Sequence, residues 1–440
     1  MPNDDLEQKI HEAVARVFAE AQRPPDPITT VATAAEFQAA LDAGGTIAIA
    51  AAATLEAPTF RVSKAGTTIL GQGARVVGTS GPALHVLPGV HEVTVRDLVG
   101  GAAYQTVFQI GNNDDAQTAL EQVPRLITFE RLSVPTHRGK RAFEINGAEV
   151  QLLDCEARDT WDPARRDSQA IAVLNTPGPV LVRGGYFEGG SENIIVGGDT
   201  MKLADVVPSD LTFEDLTLRK PLAWKTDGVV RMVKNIFELK TGERVRVRRV
   251  LMDGCWDGFG QAAYAVVITP RSGGFIRDVE FDAITVINSG AGVNILGVNN
   301  KPPATLHRTT GIVFRNSRFE ISKRTFGGHG YLALLSGGPG TVAFEHVVAV
   351  SDNSYGVGIS VADLQPIEAL RVVGSYLRVP FYNRAASYLN SSQPETLATQ
   401  FVRREISGNV VAEASARFKA EFPDNQFVTV AEFDALVPGR

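Results

Sequence analysis

The sequence is poor in cysteine, has no long apolar run and carries no excess of basic residues. Its 440 residues include 2 Cys, and 43 Lys and Arg stand against 49 Asp and Glu, for a net charge of −6. Nucleic-acid-binding proteins usually carry a basic excess, so we expect no nucleic-acid partner. The apolar stretch Thr46–Leu55 is too short to cross a membrane, and we expect no membrane insertion. At 44% apolar and 21% charged residues, the composition is that of a globular protein.

The cysteines lack a metal-binding motif, and the N-terminus lacks the pattern of a secretory signal. Cys155 and Cys255 lie far apart, without a CxxC motif or a nearby His, so we predict buried free thiols and no metal site. A secretory signal needs a basic start and an apolar core, whereas this chain begins Met-Pro-Asn-Asp-Asp-Leu-Glu. We therefore expect a cytoplasmic protein, or a virion or extracellular protein that is released by lysis.

Residues 4–22 have the pattern of an amphipathic helix. Its apolar face comprises Leu6, Ile10, Ala13, Val17 and Ala21. Two interpretations remain open: a helix docked on the protein's own body, or a short stem for oligomerisation or attachment. The segment Arg23–Pro27 contains three prolines, which end the helix and form a stiff spacer. Residues 1–27 are therefore predicted to be a helical stem and a Pro-rich linker.

A second helix is predicted to cap a β-structure. Thr33 and Glu36 have the spacing of a capping box, and Gly44-Gly45 ends the helix before the strand Thr46–Ala50. A helix at this place covers the open edge of a stack of strands. The predicted organisation is a helical cap over residues 28–45, a β-body over 46–411 and a closing segment over 412–440.

The middle of the chain repeats a short strand pattern, apolar-x-apolar-x-x-apolar. The repeat averages about 31 residues. Its members are Val93–Leu98, Ile127–Leu132, Val150–Cys155, Val180–Gly185, Leu211–Leu216, Val245–Val250, Val279–Ile284, Ile312–Ser317, Val342–Val347, Leu370–Ser375 and Phe401–Ile406.

A second series of strands lies between the first. Its members are Ala142–Asn146, Ala170–Asn175, Asn193–Gly197, Asn235–Leu239, Ala265–Thr269, Val293–Gly297, Tyr331–Ser336 and Val357–Val361. Two or three short strands per repeat, with little helix between them, predict an all-β parallel solenoid. About twelve coils at about 4.8 Å each would form a rod of about 55–60 Å. The variable period argues against a propeller, and the scarcity of hairpin turns argues against a sandwich.

Several segments carry a family resemblance. The cap, the strand after it and Thr68–Gly73 resemble the first coils of the right-handed parallel β-helix superfamily, which includes pectate lyase-like proteins and bacteriophage tailspikes. Residues 191–300 are most similar to uncharacterised bacterial pectate lyase-like β-helix proteins. The segments that carry this similarity are Ser191–Gly198, Val207–Asp210, Lys220–Lys225, Val233–Lys240, Ala265–Arg271, Gly292–Gly297 and the tail Phe422–Phe427. The resemblance implies a right-handed parallel β-helix over about residues 28–437, but implies no single activity, because the superfamily hosts lyases, hydrolases, isomerases and binding proteins.

Two fragments resemble the motifs of polygalacturonase-like hydrolases. Lys225-Thr-Asp-Gly228 and Gly328-His-Gly330 are similar to that family's Asn-Thr-Asp-Gly and Gly-His-Gly motifs. The family brings these motifs together on nearby coils with an Asp-Asp pair between them. Here about three coils separate the two fragments and no Asp-Asp pair lies between them, which disfavours hydrolysis by paired carboxylates.

The sequence offers more candidate residues for lyase chemistry than for hydrolysis. A lyase removes the proton next to a uronate carboxylate with a basic side chain, while a cation neutralises the carboxylate. Lys225, Asp257 and Arg271 are the candidate catalytic residues, and the coil spacing would let Lys225, Asp257 and the Asn288–Asn294 region stack on neighbouring coils to form one face. Asn294 and Asn299 are candidate substrate contacts. The alternative for this region is structural, with Asn ladders and Asp-Gly turns closing the coils. We expect no obligate cofactor, although Ca²⁺ would suit this chemistry.

Trp161, Trp224 and Trp256 are the only tryptophans. All three lie near polar loop or turn residues, so we expect them to be exposed and to stack on sugar rings.

Two functions therefore remain open. The first is a polysaccharide-recognising virion or cell-surface spike, similar to a tailspike, which would self-associate, favour a trimer, attach through residues 1–27 and have the capacity for depolymerase activity. The second is a pectate lyase-superfamily enzyme that cleaves a uronate-containing glycan and whose signal peptide was removed.

Overall fold

The computed structural model describes residues 27–103, 105–271, 273–299, 307–352, 358–363, 365–378, 381–383, 401–414 and 416–437. The predicted stem over residues 4–22 lies outside these residues. The described helices are α1 Ala34–Ala43, α2 Lys323–Phe326, α3 Ala416–Glu421 and α4 Val430–Leu436, with 3-10 turns at Leu120–Gln122 and Leu222–Lys225. Among the described residues, no helix is both long and apolar enough to span a bilayer.

The described strands form three long sheets in which all neighbours are parallel. Sheet 1 contains β1 Ile28–Val31, β2 Thr46–Ile49, β5 Thr68–Leu70, β8 His91–Arg96, β11 Arg125–Glu130, β14 Ala148–Leu153, β17 Val180–Arg183, β20 Ser209–Glu214, β23 Gly242–Arg248, β26 Ile276–Asp282, β29 Thr310–Arg315, β32 Thr341–Glu345, β35 Ile367–Val373 and β38 Phe401–Ser407. Sheet 2 contains β3 Thr54–Ala57, β6 Arg75–Gly78, β9 Val99–Ala102, β12 Ser133–Val134, β15 Glu156–Thr160, β18 Tyr186–Gly189, β21 Thr217–Arg219, β24 Leu251–Cys255, β27 Thr285–Ser289, β30 Arg318–Ile321, β33 Val348–Ser351, β36 Tyr376–Arg378, β39 Val410–Ala412 and β40 Gln426–Val428. Sheet 3 contains β4 Phe60–Val62, β7 Leu84–Val86, β10 Thr106–Ile110, β13 Arg141–Ile145, β16 Gln169–Val173, β19 Glu192–Val196, β22 Phe237–Leu239, β25 Tyr264–Ile268, β28 Ala291–Leu296, β31 Ala333–Ser336, β34 Ile359–Val361 and β37 Phe381–Asn383.

From β2 to β39 the chain visits sheets 1, 2 and 3 in turn, and each strand pairs with its counterpart one coil away. Ile127, for example, pairs with Val93 of the preceding coil and Val150 of the following coil. Crossovers between parallel strands are right-handed in nearly all proteins. The protein is therefore a right-handed parallel β-helix, as predicted, and twelve coils contribute a described strand to all three sheets.

The corner between sheets 1 and 2 explains the repeating sequence pattern. In β8 the side chains of Val93 and Val95 point inward and are fully buried. Asp97 then adopts a left-handed conformation with φ of 53°, which turns the chain and brings Leu98 back into the core. Because this corner recurs in neighbouring coils, the pattern has two variable positions before its last apolar residue.

One continuous apolar core fills the interior and is closed at both ends. Stacked phenylalanines run along it, with the ring centroids of Phe281 and Phe314 4.6 Å apart. At the N-terminal end α1 inserts Phe37, which is fully buried, and at the C-terminal end α3 packs Phe418 on the core. The predicted capping box of α1 is present, since Thr33 Oγ1 accepts from the Glu36 amide and Glu36 accepts from the Thr33 amide.

Both cysteines are free and buried, as predicted. Burial raises the pKa of the Cys155 and Cys255 thiols to about 12.

Candidate functional site

A cleft lies on the outer face of sheet 3. Its floor is built from side chains of neighbouring strands, and Arg141, Gln169 and Glu192 occupy paired positions on successive coils. Loops from sheet 2 to sheet 3 contribute Asp167, Lys234 and Gln261 to the lining, and loops from sheet 3 to sheet 1 contribute Asp199 and Arg271. The cleft has a volume of about 500 Å³, within the usual range of ligand sites.

The floor and walls of the cleft are held by ion pairs. Lys234 Nζ lies 2.5 Å from Asp167 Oδ1 and 3.4 Å from Glu192 Oε1. Lys240 pairs with Glu238 and donates to Thr269 Oγ1 at 2.9 Å. These contacts keep the lysine side chains ordered on the cleft surface.

The upstream end of the cleft contains a buried arginine. Arg141 Nη1 donates to Glu144 Oε2 at 2.7 Å, and Arg141 Nη2 lies 3.3 Å from Asp199 Oδ2. The pKa of Glu144 is lowered, because the attraction of Arg141 outweighs the effect of burial. Glu144 is therefore the ionised partner of this arginine at neutral pH.

Glu192 behaves differently from Glu144. It is completely buried, and its Oε2 accepts a hydrogen bond from Gln169 Nε2 at 2.8 Å. Burial and, next, the nearby Glu238 carboxylate raise the pKa of Glu192 to about 8, although Lys234 opposes the shift. Five cationic side chains line the cleft against four carboxyl groups, and the raised pKa of Glu192, which favours its protonated form, adds to the excess of positive charge.

A tyrosine and a histidine meet in the wall of the cleft. Tyr264 Oη lies 2.8 Å from His329 Nδ1, and both residues line the cleft together with Arg271 and Asn294. A hydrogen-bonded phenol and imidazole can pass a proton between them, which is the basic requirement of acid–base chemistry. His329 belongs to the Gly-His-Gly fragment of the sequence, whereas Asp227 of the other fragment does not line the cleft and pairs with Arg231.

The cleft offers no obvious metal centre. Among the described residues, no group of three or more His, Cys, Asp or Glu side chains is arranged to hold a metal ion. The ionised carboxylate of Glu238 pairs with the ammonium group of Lys240.

The predicted site residues fall in two different places. Arg271 and Asn294 line the cleft, and Asn299 is buried in the loop that follows β28. Lys225 and Asp257 are exposed on loops between sheets 2 and 3 and are not part of the lining. The cleft lining therefore contains two of the eight predicted residues, and a site through Lys225 and Asp257 stays a prediction.

The expected exposure of the tryptophans is wrong for Trp224 and Trp256, which are only 8% and 9% exposed. They form an apolar cluster with Val233 and Phe326, each from a loop that leads from sheet 2 to sheet 3. The cluster ties these loops together at the side of the cleft, so the rings pack on one another and present no face to a sugar.

Trp161 is half-buried and also packs against this cluster. The guanidinium groups of Arg138 and Arg231 lie 4.5 Å and 4.8 Å from its ring centroid. Trp161 Nε1 donates to Asp159 Oδ1 at 2.9 Å. Cation–π contacts and a hydrogen bond thus occupy this ring as well.

Comparison with known proteins adds the following. No protein-family profile and no curated protein matches the chain. Among solved structures, the chain is similar to a mannuronic acid specific polysaccharide family 6 lyase from human gut microbiota, with 11% identity over 92% of this chain and 91% of that chain and a TM-score of 0.49. It is also similar to an alginate lyase from Paenibacillus, with 13% identity over 79% of this chain and 98% of that chain and a TM-score of 0.33. A tailspike protein of E. coli bacteriophage HK620 is 11% identical over 91% of this chain and 75% of that chain, with a TM-score of 0.40. Identities this low assign no activity to the chain.

Proposed function

We propose that the protein binds an acidic polysaccharide along the cleft of sheet 3. The observation that carries the proposal is the lining of the cleft, in which five cationic side chains, Lys140, Arg141, Lys234, Lys240 and Arg271, face four carboxyl groups. The cleft reaches from Arg141 on β13 to Leu334 on β31, about 29 Å at about 4.8 Å per coil. That length suits several sugar units of a chain better than a single small molecule.

The charges favour a glycan that carries carboxylates. Arg271 and Lys140 lie at the cleft surface and are only partly buried, so their charged groups are open to a ligand. Carboxylates of a polymer would form charge-assisted hydrogen bonds with such groups. Because these contacts are partly exposed, we expect binding to weaken as salt concentration rises.

We further propose that this binding serves a virion or cell-surface spike. The support is the apolar face of residues 4–22, which fits a stem for self-association, with a trimer favoured, and for attachment to a larger assembly. Residues 1–26 lie outside the described part of the chain, so this part of the proposal rests on sequence.

A second candidate function is depolymerisation by β-elimination, which the Tyr264–His329 pair favours. The pair would accept the proton from the carbon next to a uronate carboxylate and return a proton to the leaving glycosidic oxygen. A carbon–carbon double bond forms as the carbon–oxygen bond breaks, and Arg271 would stabilise the negative charge that develops on the carboxylate.

One panel experiment tests both candidates. The intact protein is incubated with sodium alginate, polygalacturonate and hyaluronate, with dextran as a neutral comparison, and binding, reducing ends and ultraviolet absorbance are measured together. We expect salt-sensitive binding to at least one acidic polymer and none to dextran. New reducing ends with absorbing products would support elimination, and binding without products would support recognition alone.

Matched variants then locate the site. Arg271→Met removes a cation from the cleft, and we expect binding to an acidic polymer of the panel to weaken about tenfold, or about 1.4 kcal/mol. Lys225→Met removes the same charge from an exposed loop outside the cleft lining and should leave binding unchanged. If Lys225→Met weakens binding and Arg271→Met does not, the glycan binds at the face around Lys225 that was first predicted from the sequence.

A further inference from the structure

One exposed aromatic side chain stands at the tip of a small hairpin beside the cleft. Gly258 and Gln261 pair as an antiparallel bridge, and the Gln261 amide donates to the Gly258 carbonyl at 2.9 Å. Phe259 and Gly260 form the tip. Phe259 is 43% exposed, and among the exposed large apolar side chains that the structure describes it is the only aromatic one.

The backbone at this tip is unfavourable for phenylalanine. Phe259 has a φ of 50° and Gly260 a φ of 72°, so both central residues of the turn are left-handed. Such turns strongly prefer Asn, Asp or Gly, because the left-handed conformation is costly for a bulky side chain. An exposed aromatic residue in this conformation contributes little to folding.

The hairpin is rigidly placed against the cleft. The residues that follow Phe259, namely Gly260, Gln261 and Ala262, line the cleft. On its other side the loop is anchored by the buried Trp256, and the Asp257 amide donates to the Phe326 carbonyl at 2.8 Å. The tryptophan cluster therefore holds the hairpin at the edge of the cleft.

We propose that Phe259 is a sugar-stacking residue, whose ring packs on the apolar C–H face of a pyranose in a polysaccharide bound along the cleft. This inference rests on the proposed function and adds a requirement on the glycan: one ring face near the hairpin must be free of polar groups. Aromatic contacts of this type are apolar and insensitive to salt. Phe259 thus supplies the salt-independent part of binding, and the cations supply the salt-dependent part.

The left-handed backbone of Phe259 allows a test in which one substitution removes the ring and also suits the turn better. Phe259→Asn suits the left-handed turn but removes the ring, so we expect a melting temperature about 1 °C higher and about tenfold weaker binding to an acidic polymer of the panel. The slope of affinity against salt concentration should not change. Phe259→Trp keeps an aromatic face and should retain the affinity of the unaltered protein.

A matched control exists on sheet 1. Leu126 is 44% exposed with a φ of 57°, so Leu126→Asn makes the same kind of change away from the cleft. We expect it to stabilise the fold equally without affecting binding.

The possible failures are distinguishable. If Phe259→Asn binds as well as the unaltered protein, or if both Asn variants weaken binding alike, the stacking role is wrong while the proposed function stands. If the unaltered protein binds no acidic polymer of the panel, the proposed function is contradicted and the stacking role falls with it.

Discussion

Glu192 is enclosed in the floor of the cleft, next to Gln169, Lys234 and the carboxylate of Glu238. Its raised pKa of about 8 links the stability of the protein to pH. The folded state holds the proton more tightly than the unfolded chain, whose Glu pKa is near 4.5. The stabilising effect of protonation is therefore complete below pH 4.5 and is lost as the pH rises through 8.

Replacing the carboxyl group of Glu192 with a neutral amide should raise the free energy of unfolding by an amount that depends on pH. Glu192→Gln cannot ionise, so its free energy of unfolding relative to the unaltered protein should increase between pH 4.5 and pH 8. We expect an increase of at least about 1.4 kcal/mol, the equivalent of one pKa unit. Denaturant unfolding at several pH values measures it, with the exposed Glu121→Gln as a control that should show no such trend. A difference that does not vary with pH would mean that Glu192 is ionised in the folded protein throughout this range.

The residues of the cleft were only partly predictable from the sequence. Arg271 and Asn294 were among the candidates chosen from the polar side chains of residues 220–301, and both line the cleft. Lys234 and Glu192 were missed, since they lie within or beside strands that read as apolar repeats and meet only through the pairing of β19 with β22. The tryptophans were misjudged because polar loops suggested exposure, whereas loops from different coils bury these rings against one another.

At the scale of elements, the corner between sheets 1 and 2 is the most regular feature of the coil. The left-handed position is filled by Asp97, Asp215, Ala283 and Gly374, among others. The corner could be predicted as a position between strands, because its neighbours are apolar and inward-facing. The left-handed backbone could not be predicted, since residues as different as Asp, Arg and Ala occupy it.

An alanine-to-glycine substitution is predicted to change the free energy of unfolding in opposite directions at the corner and inside a strand. Ala283 is exposed with a φ of 54°, so Ala283→Gly should raise the free energy of unfolding by about 1 kcal/mol. Ala343 lies in the middle of β32, where glycine only adds flexibility, so Ala343→Gly should lower it by about 0.5–1 kcal/mol. Chemical denaturation of both variants checks this, and a loss in Ala283→Gly would contradict the role of the corner.

At the scale of the whole molecule, the predicted stem is separable from the β-helix. Deleting residues 1–25 should leave the strand-rich circular dichroism spectrum unchanged, because the described core begins beyond them at Val31. If the stem drives self-association, light scattering should report a lower mass for the shortened protein. A full-length protein that is already monomeric at micromolar concentration would contradict the stem.

The two capped ends of the core have a consequence for the solution behaviour of the protein. Parallel strands stacked about 4.8 Å apart, with like side chains above one another, are also the architecture of an amyloid fibril. In this chain α1 with Phe37 closes one end of the stack and α3 with Phe418 closes the other. We therefore expect these short helices to keep the terminal coils from adding further chains, and their loss to turn each terminal coil into a template for fibre growth.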